Sequence, residues 1–338
     1  MAALCHDLGH LPFSHAAEKE LLPDGWDHER LTLEIIRSAE MESIWKEIKI
    51  NSDDVAKIAV GPQKYKFGDY SNWEAILSEI ITGNSFGVDR MDYLLRDSHH
   101  AGVAYGKFDH HRLIDTIRIL PKKEGDSIEP VLGIEEGGLH SAEALLLGRY
   151  FMFTQLYSHP VRRIYDIHLK DFIKEWLSEE FLSINVEDYL QLTDNEILLE
   201  LFNAARDEKQ KGHDSAKRIV KRDHFKVLYQ RNPKDIQKNR YAARAIFEMA
   251  CDKFGKKNVR IDCYKQSSNG HEFPVLTEDK RIVSSLELSD ILENVPIAAL
   301  DYVYINTENK KKAKKWLKEN LETIIEIREE EKIEAIET

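Results

Sequence analysis

"ALCHDLGHLPFSH", residues 3–15, places three imidazoles and one carboxylate within ten positions: His6, Asp7, His10 and His15. With Ala2, Ala3, Leu4 and Leu8 apolar, residues 1–10 read as the end of a buried helix. Gly9 loosens its end, and Pro12 suits the first turn of the next helix. Neighbours on a helix lie about 100° apart, so His6 and Asp7 both lean into one cavity, and His10 shares the face of His6. A neutral imidazole beside a carboxylate suits a borderline or hard divalent cation such as zinc, manganese, iron or magnesium. One His–Asp dipeptide is more often a pair of side chains satisfied by hydrogen bonds. The crowding of His6, Asp7, His10, His15 and then His28 weighs toward a functional site. Glu18, three residues beyond His15, is placed to hold that imidazole in one tautomer, an arrangement suited to a general acid or base, although a plain surface pair has the same spacing.

Outward from this stretch the chain reads as mainly helical. "HERLTLEIIRSAE" (28–40), "NWEAILSEIITG" (72–83) and "VDRMDYLLRDSHHAG" (88–102) carry apolar residues at helical spacing, the last two stopped by glycine. "IRILPKKEGDSIEPVLGIEEGG" (117–138) reads as a β-hairpin, and one long helix is expected from about Leu139 to Trp176. "VEDYLQL", "DNEILLELFNAARD" and "KRIVKRDHFKVLYQ" read as smaller helices to about residue 230. "NVRIDCYKQ", "HEFPVLTED", "KRIVSSL" and "ALDYVYINT" read as strands, with helices at "LELSDILE" and "KKAKKWLKENLETIIEIREE". The expected organisation is a helical domain over 1–178, a helical extension over 179–255 and an α+β module over 256–338.

Two of these helices carry further chemistry. Asp89, Tyr93 and Arg96 share one stripe of the 88–102 helix, and Arg90, Tyr93 and Asp97 an overlapping one, with Met91, Leu94 and Leu95 on the packing side. The stripe offers a metal ligand, a phosphate clamp and a sugar contact, or equally an exposed face laced with ion pairs. Arg149, Phe153 and Tyr157 follow at i, i+4 and i+8, with Arg162 and Arg163 beyond. Arginines bind phosphate and aromatics stack on a base or sugar, but an amphipathic core helix has the same pattern.

The bulk composition narrows the partners. Sixty acidic against 48 basic residues give a net charge of −12, which argues against nucleic acid or anionic membrane as a partner; a polyanionic ligand needs a local basic pocket or a metal. Cys5, Cys251 and Cys263 are too few and scattered for a disulfide framework. No apolar run is long enough to span a membrane, and no signal segment precedes the histidines, so a cytoplasmic location is expected.

"ALCHDLGHLPFSH", "WDHE", "VDRMDYLLRDSHHAGV" and "RYFMFTQLYSH" occur together and in this order, and the chain thereby resembles the deoxynucleoside triphosphate triphosphohydrolases of the HD superfamily. The resemblance implies a mainly α fold, an HD-domain helical core with a small C-terminal α+β module. It implies hydrolysis of a dNTP to deoxynucleoside and inorganic triphosphate, a divalent metal ion (magnesium, manganese, zinc, iron or cobalt) and a homo-oligomer. His6, Asp7 and Asp89 match the family's metal ligands. His10, His15 and His28 match its catalytic and phosphate-contacting histidines, with Glu18 orienting His15. Arg90, Tyr93 and Asp97 match positions that hold triphosphate and sugar, Arg149 a phosphate-binding arginine, and Tyr157 the aromatic packed on the deoxyribose. Phe153 stands where family members often carry His or Tyr. The family's first metal ligand, a histidine in a segment resembling "RFEHSLG", has no match here, so three protein ligands of the usual four are expected, with part of the usual N-terminal segment lacking. Two other readings stay open: an HD phosphohydrolase or phosphodiesterase acting on another nucleotide, and a catalytically silent nucleotide-binding subunit.

Overall fold

The computed structural model describes residues 1–124, 127–177, 186–265, 272–296 and 298–326. The described residues are mainly helical with two small sheets, the expected fold class. The principal helices are α1 (Ala2–Cys5), α2 (His28–Ile36), α3 (Ser52–Lys64), α4 (Asn72–Thr82), α5 (Val88–Ala101), α6 (Leu139–Met152), α7 (Pro160–Trp176), α8 (Ala242–Phe254) and α9 (Lys310–Ile325), of which α1 to α6 lie in the part of the chain that carries the site. The strands are β1 (Ile117–Glu124), β2 (Ser127–Glu135), β3 (Lys226–Gln230), β4 (Val259–Lys265), β5 (Pro274–Leu276), β6 (Ile282–Ser284) and β7 (Ala299–Ile305).

Local chemistry explains the helix ends. Asp27 caps α2 by accepting the Arg30 N–H at 2.9 Å. Ser71 and Glu74 form a reciprocal capping box before α4, which stops at Gly83. Helix α5 ends where Gly102 takes the left-handed conformation, φ 68°.

The chain forms two compact units. The first comprises Met1–Leu156, Leu177–Leu198 and Ser267–Ile297; the second comprises Tyr157–Trp176, Leu199–Gln266 and Ala298–Thr338. In the first unit, β1 and β2 form the expected antiparallel hairpin, with Ile117 opposite Ile134 and Glu124 opposite Ser127. Strand β5 adds parallel to β2, and β6 pairs antiparallel with β5. In the second unit β7 lies between β3 and β4, antiparallel to both. Ala242, Ile246 and Ala250 of α8, Ala313 and Leu317 of α9, and Val303 and Ile305 of β7 form its buried core.

Five expectations change. Residues 1–10 are not one buried helix: α1 ends at Cys5, Leu4 is 75% exposed, and a turn follows. Gly9 lets that turn close on α2, because a Cβ there would sit 2.1 Å from the His28 carbonyl and 2.4 Å from the Thr32 nitrogen. The 28–40 helix stops at Ile36, and a second helix, Ala39–Ile48, follows. The long helix over 139–176 is broken: α6 gives way to a π-helical turn, Phe153–Tyr157, and α7 restarts at Pro160, whose ring forbids helical geometry in the residue before it. "KRIVKRDHFKVLYQ" is helical only to Val220, and its tail is β3. The strands after residue 256 do not form one module: β4 and β7 join β3, whereas β5 and β6 join the hairpin. The acidic end of the last expected helix, residues 327–330, lies outside the described residues.

Candidate active site

The first unit brings two clusters together. His6 stands just past the end of α1, where its Nδ1–H donates to the Ala3 carbonyl at 2.9 Å. A carbonyl only accepts, so that bond sets the tautomer and leaves Nε2 with a lone pair in the neutral ring. Nε2 lies 3.4 Å from Asp7 Oδ2 and 3.3 Å from Asp89 Oδ1 and is buried without a hydrogen bond of good geometry. Asp89 is delivered by the first turn of α5, after a tight turn at Gly87; a Cβ on Gly87 would meet backbone atoms of Gly83 at 2.7 Å. One lone pair and two carboxylates, their ligand atoms all within 4.8 Å of one another, form a donor set of the kind that fits a divalent cation. The contact with Asp89 raises the His6 pKa, and His6 in turn holds the Asp89 carboxyl below its usual range against the effect of burial.

The second cluster is built on Glu18. Its carboxylate accepts from His15 Nδ1 at 3.0 Å, from His28 Nδ1 at 3.1 Å and from the His28 backbone N–H at 3.1 Å. Burial works against the charge, yet these donors keep Glu18 far below the ordinary carboxylate range. His28 shifts the other way, with Glu18 overcoming burial to raise it. The His10 ring stacks on His28 with centroids 4.1 Å apart and planes 9° apart, and His15 stands edge-on to both. Burial, reinforced by the charge of His28, pulls His10 down to about 4, so it is neutral at physiological pH. Its Nδ1 lies 3.2 Å from Ser14 Oγ and its Nε2 3.6 Å from Asp7 Oδ1, so His10 links the clusters. His15 is 67% exposed and open to a ligand from solvent.

A cleft of about 590 Å³ adjoins these groups, lined by His6, Asp7, His28, Asp89 and Arg90 among others. Arg90 donates to the Gly83 carbonyl at 3.0 Å and to Asn84 Oδ1 at 2.9 Å, and Arg149 reaches the Asn84 carbonyl at 3.4 Å. Both expected phosphate-binding arginines therefore hang on one turn between α4 and α5. Tyr93 and Asp97 lie on α5, Asp97 3.7 Å from Arg96. Tyr157 falls in the second unit, at the end of the π-helical turn. Sequence reading missed Thr32, whose Oγ1 accepts from Gly9 N–H at 2.9 Å and donates to the His6 carbonyl at 3.2 Å, and Ser14. It also missed the break of α3 at Gly61, φ 72°, in the cleft wall; the Gly61–Pro62 pair was the available signal.

Residues 108–334 match the family described as the HD associated region. The chain is 28% identical to uncharacterized protein YwfO of Bacillus subtilis over 87% of its length and 69% of the relative's. It is 27% identical to deoxynucleoside triphosphate triphosphohydrolase SAMHD1 of Homo sapiens over 69% of the chain, which spans only 42% of that protein. A crystal structure of a hypothetical protein from Aquifex aeolicus superposes with a TM-score of 0.76 at 33% identity, covering 94% of this chain and 78% of that one. A phosphohydrolase from Bacteroides thetaiotaomicron shares the fold, with a TM-score of 0.64 at 21% identity, over 90% and 78% of the two chains. The chain belongs to the HD associated region family.

Proposed function

We propose that the chain is a metal-dependent hydrolase of deoxynucleoside triphosphates, releasing deoxynucleoside and inorganic triphosphate. The observation that carries this reading is the pairing of the His6 lone pair, facing two carboxylates, with a proton-handling histidine cluster one His10 ring away. The triphosphate substrate rests on the likeness to enzymes named for that reaction. His6, Asp7 and Asp89 would hold a divalent cation, which supplies Lewis acidity toward water and the phosphate charge. Water attacks the α-phosphorus, the bond from phosphorus to the 5′ oxygen breaks, and His15 gives that oxygen its proton. Glu18 accepts from His15 Nδ1 and fixes the orientation of that ring. His10 and His28 face the phosphates, and Arg90 and Arg149 neutralise them. Tyr93 and Asp97 contact the sugar. Tyr157, on the second unit, is assigned to the deoxyribose by the resemblance alone.

The test is incubation of the metal-loaded protein with each dNTP in ¹⁸O-labelled water. Triphosphate carrying one ¹⁸O is the expected product. Pyrophosphate or a nucleoside monophosphate would make the chain a different HD phosphohydrolase, and binding without turnover would make it a silent subunit. Sedimentation of the same sample tests the homo-oligomer that belongs to this reading.

A further inference from the structure

The loop carrying the histidines contains two consecutive left-handed residues that are not glycine, Phe13 at φ 60° and Ser14 at φ 51°. A side chain disfavours that conformation, so a pair of such residues persists only where the surroundings hold it. They sit between His10 and His15, and Ser14 touches His10 directly. What holds them lies far away in sequence. The Phe13 N–H donates to Asp194 Oδ1 at 3.0 Å, across 181 residues. Nearby, the buried Tyr189 donates its hydroxyl to the Leu21 carbonyl at 3.2 Å, a second tie just beyond Glu18. Asp194 opens the helix Asp194–Arg206, but other groups tie down the start of that helix: Thr193 donates both its N–H, at 2.9 Å, and its hydroxyl to Glu196 Oε2, and Thr193 Oγ1 accepts the Asn195 N–H at 3.2 Å. The Asp194 carboxylate therefore serves the histidine loop rather than its own helix.

We propose that Asp194 is a positioning residue: by accepting the Phe13 N–H it holds the left-handed Phe13–Ser14 turn, and with it the spacing of His10 and His15. The role rests on the reading of these histidines as the phosphate-facing and proton-donating groups. Asp194→Ala should lower kcat roughly tenfold with KM little changed, because the geometry of the reacting groups shifts while the cleft stays. Asp194→Asn keeps an acceptor oxygen and should remain within about twofold of the parent. The ring ¹⁵N signals of His10 and His15 should move in Asp194→Ala and stay in place in Asp194→Asn. Parental kcat and unmoved signals in Asp194→Ala would overturn the proposal, and so would an Asp194→Asn variant as impaired as Asp194→Ala. If the parent hydrolyses no dNTP, the functional reading fails on its own, and the ring signals alone still decide the role of Asp194.

Discussion

The two clusters of the first unit use the same residue types in opposite proportions. In one, a single imidazole lone pair faces the carboxylates of Asp7 and Asp89. In the other, a single carboxylate, Glu18, is surrounded by His10, His15 and His28 and accepts three N–H groups. The first has more acceptors than donors and calls for a cation. The second closes its own hydrogen bonds and needs only to pass a proton. Counting histidines says little about chemistry; the ratio of lone pairs to protons at one point in space decides it.

The comparison breaks most sharply at Asp89. Asp89→Asn removes one negative charge from the donor set and should cost at least about a thousandfold in turnover. Metal content measured by mass spectrometry should fall with it, as should the stabilisation on metal addition, about 2.7 kcal/mol at a hundredfold excess over Kd and read as a rise in Tm. A variant that keeps both metal and turnover would remove Asp89 from the donor set. Glu18→Gln should lower kcat about a hundredfold while metal content stays parental, because only proton handling is disturbed. Loss of metal in that variant would merge the clusters into one site.

His168 sharpens the contrast by showing a buried histidine under the influence of arginines rather than bonded to a carboxylate. It is 1% exposed, its Nε2 accepts the Phe225 N–H at 3.2 Å, and burial, then Arg218 and Arg260, draws it down to about 3. The unfolded chain takes up that proton near pH 6.5 and the folded chain does not. Stability is therefore lost as pH falls from about 6.5 toward 3, by on the order of 1.4 kcal/mol per pH unit. His168→Gln, which keeps an acceptor and cannot titrate, should flatten this acid limb in denaturant titrations; an unchanged slope would reassign the loss to other groups. The smallest effect is expected at Ser14→Ala, which deletes the contact with His10 Nδ1 and should lower kcat by about threefold to tenfold, read by steady-state kinetics.

Much of this was legible locally. The helices at 72–82 and 88–101 and the hairpin from 117 to 135 carry their signals within a few residues of their ends: a Ser–Glu capping box, a terminal glycine, and turn residues between β-branched runs. The candidate ligands were legible as a motif, yet the motif sits on a turn rather than on the helix that its apolar residues suggested, because Gly9 allows the chain to collapse onto α2. The break in the 139–176 helix had its cause in view at Pro160, whereas helical periodicity on both sides hid it.

By itself the sequence determined what is short-range: most helices and strands, the existence of the 117–138 hairpin, and the residue types available for metal and proton chemistry. Only the tertiary structure decided which strands share a sheet, that Asp89 comes within 3.3 Å of His6, and that Asp194 reaches the Phe13 N–H. The reason is physical. Propensity and capping act over a turn or two of backbone, while strand partners and carboxylate placement follow from packing between segments far apart in the chain, where no local signal exists.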